Sequence, residues 1–245
     1  MNKKLLKTIL ACLTVVIIGW SQSASAAVIT GLTLGDSGND TVYNSSDPSL
    51  QSVANDYGFT IAGNDLNIAT DQTQWQAFTV TGGAASVTFE YLGSSASYNN
   101  QLGVVYAPLS DPTNFTYLHA FTNNLDPIGT IASVTVEEDS IFAFYVNVNS
   151  GSEQFYSINE MNEDNKGSLV TDHFLIFDTD QGLLVGLEDI RYNKNTGKLG
   201  DQDYNDVIFK VNVAGVPEPA SAVLLVLGAG MLLGRNRKPR RDPAH

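Results

Sequence analysis

The stretch Gly200-Asp201-Gln202-Asp203-Tyr204-Asn205-Asp206 sets three carboxylates and the Asn205 amide within six residues, on a loop opened by glycine. Hard oxygens closely spaced on a flexible turn suit calcium, which takes about six to eight oxygen ligands at roughly 2.3–2.6 Å. Asp201, Asp203 and Asn205 have the spacing of the first ligands of a twelve-residue calcium loop. The remainder of such a loop is missing. Asp206 stands where its glycine belongs, and Asn212 where its bidentate glutamate belongs. A calcium ion held here needs ligands from elsewhere, and Glu188-Asp189 is the nearest acidic supply. An Asp/Asn/Gly cluster before a strand is also the composition of a plain solvated turn. The residues by themselves leave both readings open.

Whatever its chemistry, this loop must be positioned by the segments around it. Directly behind it, Val207, Phe209, Val211 and Val213 alternate with Ile208, Lys210 and Asn212, the period of a half-buried strand. Ile141 to Val148 is apolar enough for a central strand covered on both faces. Shorter strand-like runs lie at Val28 to Leu34, Gln76 to Thr81, Ser86 to Leu92, Leu102 to Ala107, Phe115 to Phe121 and Thr130 to Val136. His173 to Phe177 and Leu183 to Leu187 complete the series. Gly82-Gly83 reads as a hairpin turn between its flanking strands. Gly35 to Asn55 reads as a polar loop, and residues 149 to 171 as a polar, exposed connection. No helical period of useful length appears between Ala27 and Val216. The pattern predicts an all-β fold, an antiparallel β-sandwich of jelly-roll-like character.

The chain has 245 residues and a formal charge of −13, but the charges are segregated. Between Ala27 and Val216 there are 24 acidic residues against five basic ones. Such a surface repels phosphate backbones, so nucleic acid is not an expected partner, while divalent cations would relieve its self-repulsion. The only cysteine, Cys12, falls near the N-terminus, so residues beyond it can form no internal disulfide.

The two ends read as addresses. Lys3, Lys4 and Lys7 accompany an apolar run to Trp20, and Ala24-Ser25-Ala26 supplies a small-x-small cleavage site, which makes residues 1–26 a secretory signal peptide. Residues 27–215 then form the exported domain. At the far end, Val216-Pro217-Glu218-Pro219 precedes an uncharged run from Ala220 to Gly234 and a tail containing Arg235, Arg237, Lys238, Arg240 and Arg241. A helix over 220–234 would reach only ~22 Å at its ~1.5 Å rise. That is short of a ~30 Å hydrocarbon core, and snorkelling arginines would extend it. The tail cations favour the cytoplasmic side.

Pro217-Glu218-Pro219, the short apolar segment and the arginine cluster, in that order, resemble the PEP-CTERM sorting signal of Gram-negative bacteria. The resemblance covers Val216 to Arg241. It implies handling by an exosortase together with the secretion machinery, transit through the inner membrane, and delivery to the cell surface or an extracellular matrix. Exopolysaccharide or other matrix proteins are the partners it implies, in biofilm or floc.

Leu184-Val185-Gly186-Leu187-Glu188-Asp189, a variable loop, and Gly200-Asp201-Gln202-Asp203-Tyr204-Asn205-Asp206-Val207-Ile208-Phe209 resemble the signature of the domain of unknown function 4114. In that family a strand ending in Glu-Asp is paired with a Gly-Asp-x-Asp-Tyr/Phe-Asn-Asp loop and an apolar closing strand. Leu187 departs from it, an aromatic being usual there. Tyr98-Asn99-Asn100-Gln101-Leu102-Gly103-Val104 is similar to an earlier family element. The resemblance implies a hairpin over 183–213 in which Glu188, Asp189, Asp201, Asp203, Asn205 and Asp206 supply oxygens to calcium. It supplies no catalytic residue.

Other chemistry is thinly represented. His119 and His173 sit in apolar strand-like runs, as packed or edge histidines do. No His-Glu-x-x-His, Gly-x-Ser-x-Gly or thiol nucleophile appears in the exported region. A carboxylate pair for glycoside cleavage would arise by chance among so many acids. Trp75, Tyr91, Tyr98 and Tyr106 could stack on sugar rings, although aromatics in strands more often fill a core. The expectation is a non-enzymatic, exported, calcium-stabilised surface or matrix protein. A carbohydrate-binding module and a polysaccharide-active enzyme are the rivals.

Overall fold

Side chains alternate across a strand, so each strand with one apolar face must cover that face with something. The computed structural model shows how this is done for residues 27–34, 40–43, 48–149, 151–165, 172–193, 195 and 198–216, with Ala27–Gly215 forming one compact unit. The elements begin with β1 (Val28–Leu32), α1 (Leu50–Asp56), β2 (Thr60–Ile61), β3 (Asn64–Asp65), β4 (Ala77–Thr81) and β5 (Ala85–Gly93). They continue with β6 (Gln101–Pro108), β7 (Thr116–Thr122), β8 (Ile131–Val136), β9 (Ser140–Val148) and β10 (Glu153–Tyr156). The last are β11 (Phe174–Thr179), β12 (Gly182–Leu187), β13 (Tyr192–Asn193), β14 (Lys198–Leu199) and β15 (Val207–Gly215).

The protein is all-β in its main architecture. One antiparallel sheet runs β1-β4-β9-β6-β7, with β10 also paired to β9; the other runs β11-β12-β15-β5-β8. β9 pairs with β6 along nearly its whole length, while β4 takes its first residues and β10 its last. Both sheets face one apolar interior that includes Phe78, Phe89, Phe121, Phe142, Phe144 and Phe209. Phe209 of β15 lies 5.8 Å from Phe144 and 6.0 Å from Phe121, both in the opposite sheet, and 5.7 Å from Phe89 in its own. β9 is covered on both faces as its composition predicts. Phe142, Phe144, Val146 and Val148 enter the interior, while Ala143 and Tyr145 join an outer cluster with Val105 and Tyr156.

Three expectations need correction. Gly82-Gly83 is not a hairpin turn, because β4 pairs with β1 and β9 while β5 pairs with β15 and β8. The two glycines, with φ of 78° and 153°, carry the chain from one sheet to the other, so both flanking strands turn their apolar faces to the same interior. A helix is present after all. α1 begins at Ser49, whose hydroxyl accepts from the Ser52 N–H at 3.1 Å, and it buries Leu50, Val53 and Ala54. At two turns it is too short to form without tertiary packing, which Leu92, Leu175, Leu184, Tyr204 and Ile208 provide on the outer face of the five-stranded sheet. Finally, 149–171 is not all exposed connection. β10 pairs with β9 there, and Phe155 is buried.

The signal-peptide residues Ala24 and Ala26 and the sorting residues Pro217, Glu218, Pro219, Arg235 and Arg237 lie outside the described residues. Among the described residues no helix is long and apolar enough to cross a membrane.

Candidate metal centre

The acidic residues meet because of strand register. β12 and β15 are antiparallel neighbours, with Leu183 opposite Val211 and Gly186 opposite Ile208. The end of β12 therefore lies beside the start of β15, and a separate bridge of parallel sense joins Leu187 to Asn205. Glu188-Asp189 emerges on one side of this junction and the loop 200–206 on the other.

The loop is tightly wound. Gly200, Gln202 and Tyr204 all have positive φ, at 43°, 61° and 52°. Two of these are not glycine, a conformation that costs on the order of 1–2 kcal/mol per residue and persists only where surroundings over-determine it. Tyr204 supplies part of that determination: its side chain is fully buried with Leu50, Leu199 and Ile208. Asn205 supplies more. Its Nδ2 donates to the Pro48 carbonyl at 2.9 Å, its Oδ1 accepts from the Ser95 hydroxyl, and its carbonyl accepts from the Ser95 N–H at 2.9 Å. The amide predicted as a ligand is thus engaged as a clamp between the loop, the approach to α1 and the end of β5.

The carboxylates gather in two overlapping groups. Oxygens of Glu188, Asp201 and Asp203 lie within 4.8 Å of one another, and so do those of Glu188, Asp189 and Asp206. Glu188, Asp189 and Asp203 are buried, Asp206 is half-buried and Asp201 is exposed. Glu188 Oε2 accepts from the Gln202 N–H at 3.1 Å. Its Oε1 is buried and has no hydrogen-bond partner among the described residues. Gly200 is required beside it, since a methyl group there would fall 2.0 Å from that oxygen. The Asp189 N–H donates to Asp206 Oδ2 at 2.7 Å.

Crowding the carboxylates raises their proton affinity. Burial, then the charge of Asp206, with smaller contributions from Asp201 and Asp203, pushes Glu188 up to about 10. Burial and the neighbouring Asp189 push Asp206 up to about 7. Asp189 is also raised by burial, against the opposing effect of a hydrogen bond from Asn100. Buried like charges must be neutralised by protons or by a cation. An all-oxygen set with one wholly buried, unpartnered carboxylate oxygen fits a hard metal ion.

Sequence reasoning missed the residues that hold this cluster from the other side. Asn100, fully buried, donates from Nδ2 to Asp189 Oδ2 at 2.6 Å, and its N–H donates to Asn123 Oδ1 at 2.5 Å. Asn123 Nδ2 donates to the Ser94 hydroxyl at 2.9 Å, and that hydroxyl donates to the Asp206 carbonyl at 2.5 Å. The only signal for this support was Asn100's place in the Tyr98–Val104 element. Asn100→Ala removes the donor that orients Asp189. We expect divalent-cation affinity to fall by about 10- to 100-fold, the usual cost of losing a partner that orients a ligand, as read by cation titration.

His173 is a packed histidine rather than a ligand in either group. It is buried, stacks on Phe155 at 3.7 Å, and places Nδ1 2.8 Å from the Glu188 carbonyl and Nε2 3.1 Å from Asp164. Burial raises Asp164, but the His173 contact and the Tyr192 N–H outweigh it and leave the carboxyl lowered. His119 is exposed, on edge strand β7. Tyr91 and Tyr106 are core residues, Trp75 is half-buried against Phe78, and Tyr98 is exposed.

An all-β protein with a carboxylate cluster at the junction of two paired strands is the class these features define. Residues 112–214 match the family described as a domain of unknown function, 4114, so this part of the chain is similar to that family. The match contains all five clustered carboxylates but not Ser94, Ser95 or Asn100. No curated protein and no solved structure matches the chain.

Proposed function

We propose that this chain is an exported, non-enzymatic protein of the cell surface or extracellular matrix, whose β-sandwich is braced by calcium at the Glu188 cluster. The observation that carries the metal is Glu188: wholly buried, with one oxygen lacking a hydrogen-bond partner among the described residues, and set among four further carboxylates. The donors are oxygens, without thiolate or imidazole in either group, which favours calcium or magnesium over zinc or copper. Calcium accepts irregular geometry, whereas magnesium requires a near-ideal octahedron. A site assembled from a wound loop and two strand ends suits the former.

The export part rests on residues 1–26 and 216–241: a cleaved signal peptide, then a PEP-CTERM-like segment taken up by an exosortase in a Gram-negative bacterium, with exopolysaccharide or matrix proteins as partners. Mass spectrometry of the mature protein from cells tests it. Chains beginning at Ala27 and altered near Pro217-Glu218-Pro219 support it, and an intact Met1 would count against it.

The metal reading is tested by thermal melting. Extracellular modules bind calcium at about 10⁻⁴–10⁻³ M, so about 10 mM calcium should stabilise by roughly 1.4–2.7 kcal/mol. For a domain of this size that raises the melting temperature by about 3–10 °C. The double variant Asp201→Asn/Asp203→Asn should lose much of this rise. A wild-type curve that calcium leaves in place removes the metal from the proposal.

A second reading, retention on polysaccharide, is favoured by one feature. A cleft of about 330 Å³ adjoins the cluster and is lined by exposed Tyr98 together with Asn149, Ser152, Glu153, Asp189 and Arg191. Binding to the host's own polysaccharide without turnover would support this reading, and turnover would point to an enzyme.

A further inference from the structure

We infer that the centre takes two divalent cations, with Glu188 as the carboxylate that bridges them. The inference depends on the calcium reading above and extends it from one ion to two. Oxygens bound to one calcium at roughly 2.3–2.6 Å can lie no more than about 5 Å apart. Each of the two groups meets that limit on its own: Glu188, Asp201 and Asp203, and Glu188, Asp189 and Asp206. The five carboxylates divide into these two groups, and Glu188 is the member common to both.

The two groups also come from different parts of the fold. Asp201 and Asp203 belong to the wound loop, on either side of Gln202 with its positive φ. Asp189 and Asp206 belong to the strand junction, tied together by the Asp189 N–H. Glu188 is shared by both and is fully buried. One of its oxygens accepts from the Gln202 N–H at 3.1 Å, and the other has no hydrogen-bond partner among the described residues. A carboxylate offers about four lone-pair sites, so both oxygens retain the capacity to bind a cation.

Charge balance points the same way. Five ionised carboxylates around one dication leave a large uncompensated negative charge in a largely buried place, where like charges repel strongly. A second dication nearly neutralises the set. Arg191, the basic side chain closest in sequence to Glu188-Asp189, is turned away to Glu153 at 2.7 Å and Glu163 at 3.5 Å. Two cations sharing a carboxylate would sit about 3.5–4 Å apart, as in known two-metal sites.

The full chain, stripped with chelator, is titrated with Ca²⁺ by calorimetry and separately with Mn²⁺ followed by electron paramagnetic resonance. Two Ca²⁺ per chain are expected, with a spin-coupled Mn²⁺ pair. Asp201→Asn/Asp203→Asn and Asp189→Asn/Asp206→Asn should each keep one ion and give an uncoupled Mn²⁺ spectrum. Glu188→Gln should weaken both sites by about 100-fold, the upper end for partners that only orient a ligand. One ion per wild-type chain, or two without spin coupling, overturns the bridge while leaving the calcium reading intact. No bound ion overturns both. The wild-type stoichiometry and spectrum decide the matter even if a variant fails to fold, which circular dichroism would reveal.

Discussion

In chelator, the melting temperature of this protein should fall by about 10 °C as pH rises from about 5 to about 9. Most proteins gain or hold stability over the lower part of this range, so the sign is informative. Asp206 and Glu188 are raised to about 7 and about 10, whereas carboxyls in the unfolded chain titrate near about 4. Between those values the folded state holds more protons than the unfolded one. Its stabilisation is therefore complete below the unfolded value, and is lost as pH passes through about 7 and then approaches about 10. A shift of one unit corresponds to about 1.36 kcal/mol, so the loss is at least a few kcal/mol. Asp164 acts in the opposite sense, because its carboxyl is lowered. Its contribution is lost only in acid, outside this window. Calcium should abolish or reverse the slope, since bound metal replaces the protons and its affinity grows as they leave. Melts at several pH values, with and without calcium, check the result. A chelated protein whose stability rises across this range would show that the carboxylates are not crowded as described.

Phe209→Ala should cost about 3–5 kcal/mol, a large share of the roughly 5–15 kcal/mol that holds a typical domain. Phe209 is fully buried and touches aromatic rings of both sheets. Truncation leaves a cavity at the centre of the interior that rigid neighbouring strands cannot close. The loss should extend to the metal centre. Phe209 pairs with Val185 across the β12–β15 junction, and that junction sets Glu188 beside the loop. Urea denaturation should show a lower midpoint, and calcium titration a weaker affinity. Lys210→Ala, one residue on, is the contrast. Its partly exposed ion pair with Glu90 at 3.3 Å is worth about 0–1 kcal/mol. Equal effects at the two positions would mean that the sandwich interior does not govern the stability of this strand.

Local alternation carried a good deal of this structure. Val207, Phe209 and Val211 enter the interior while Ile208 packs on the opposite face under α1, as a period of two requires. β9 is apolar throughout because both of its faces are covered. The acidic pair after β12 and the acidic loop before β15 were legible as well, because hard-oxygen chemistry is written in residue types and spacing. What alternation reports is that a face is buried, not which sheet buries it. Gly82-Gly83 therefore looked like a hairpin although its neighbours lie in opposite sheets, and α1 was hidden because its stability comes from the sheet beneath it.

Residue type by itself determined that this is an acidic, strand-rich chain with oxygen ligands near its last strand and no cysteine beyond Cys12. Tertiary structure alone decided how those ligands are shared. It set Glu188 in both carboxylate groups, engaged Asn205 as a clamp, and brought Asn100 to Asp189 across 89 positions of chain. The physical reason is that ligation and hydrogen bonding depend on distances of a few ångströms between side chains. Only the pairing of remote strands fixes those distances.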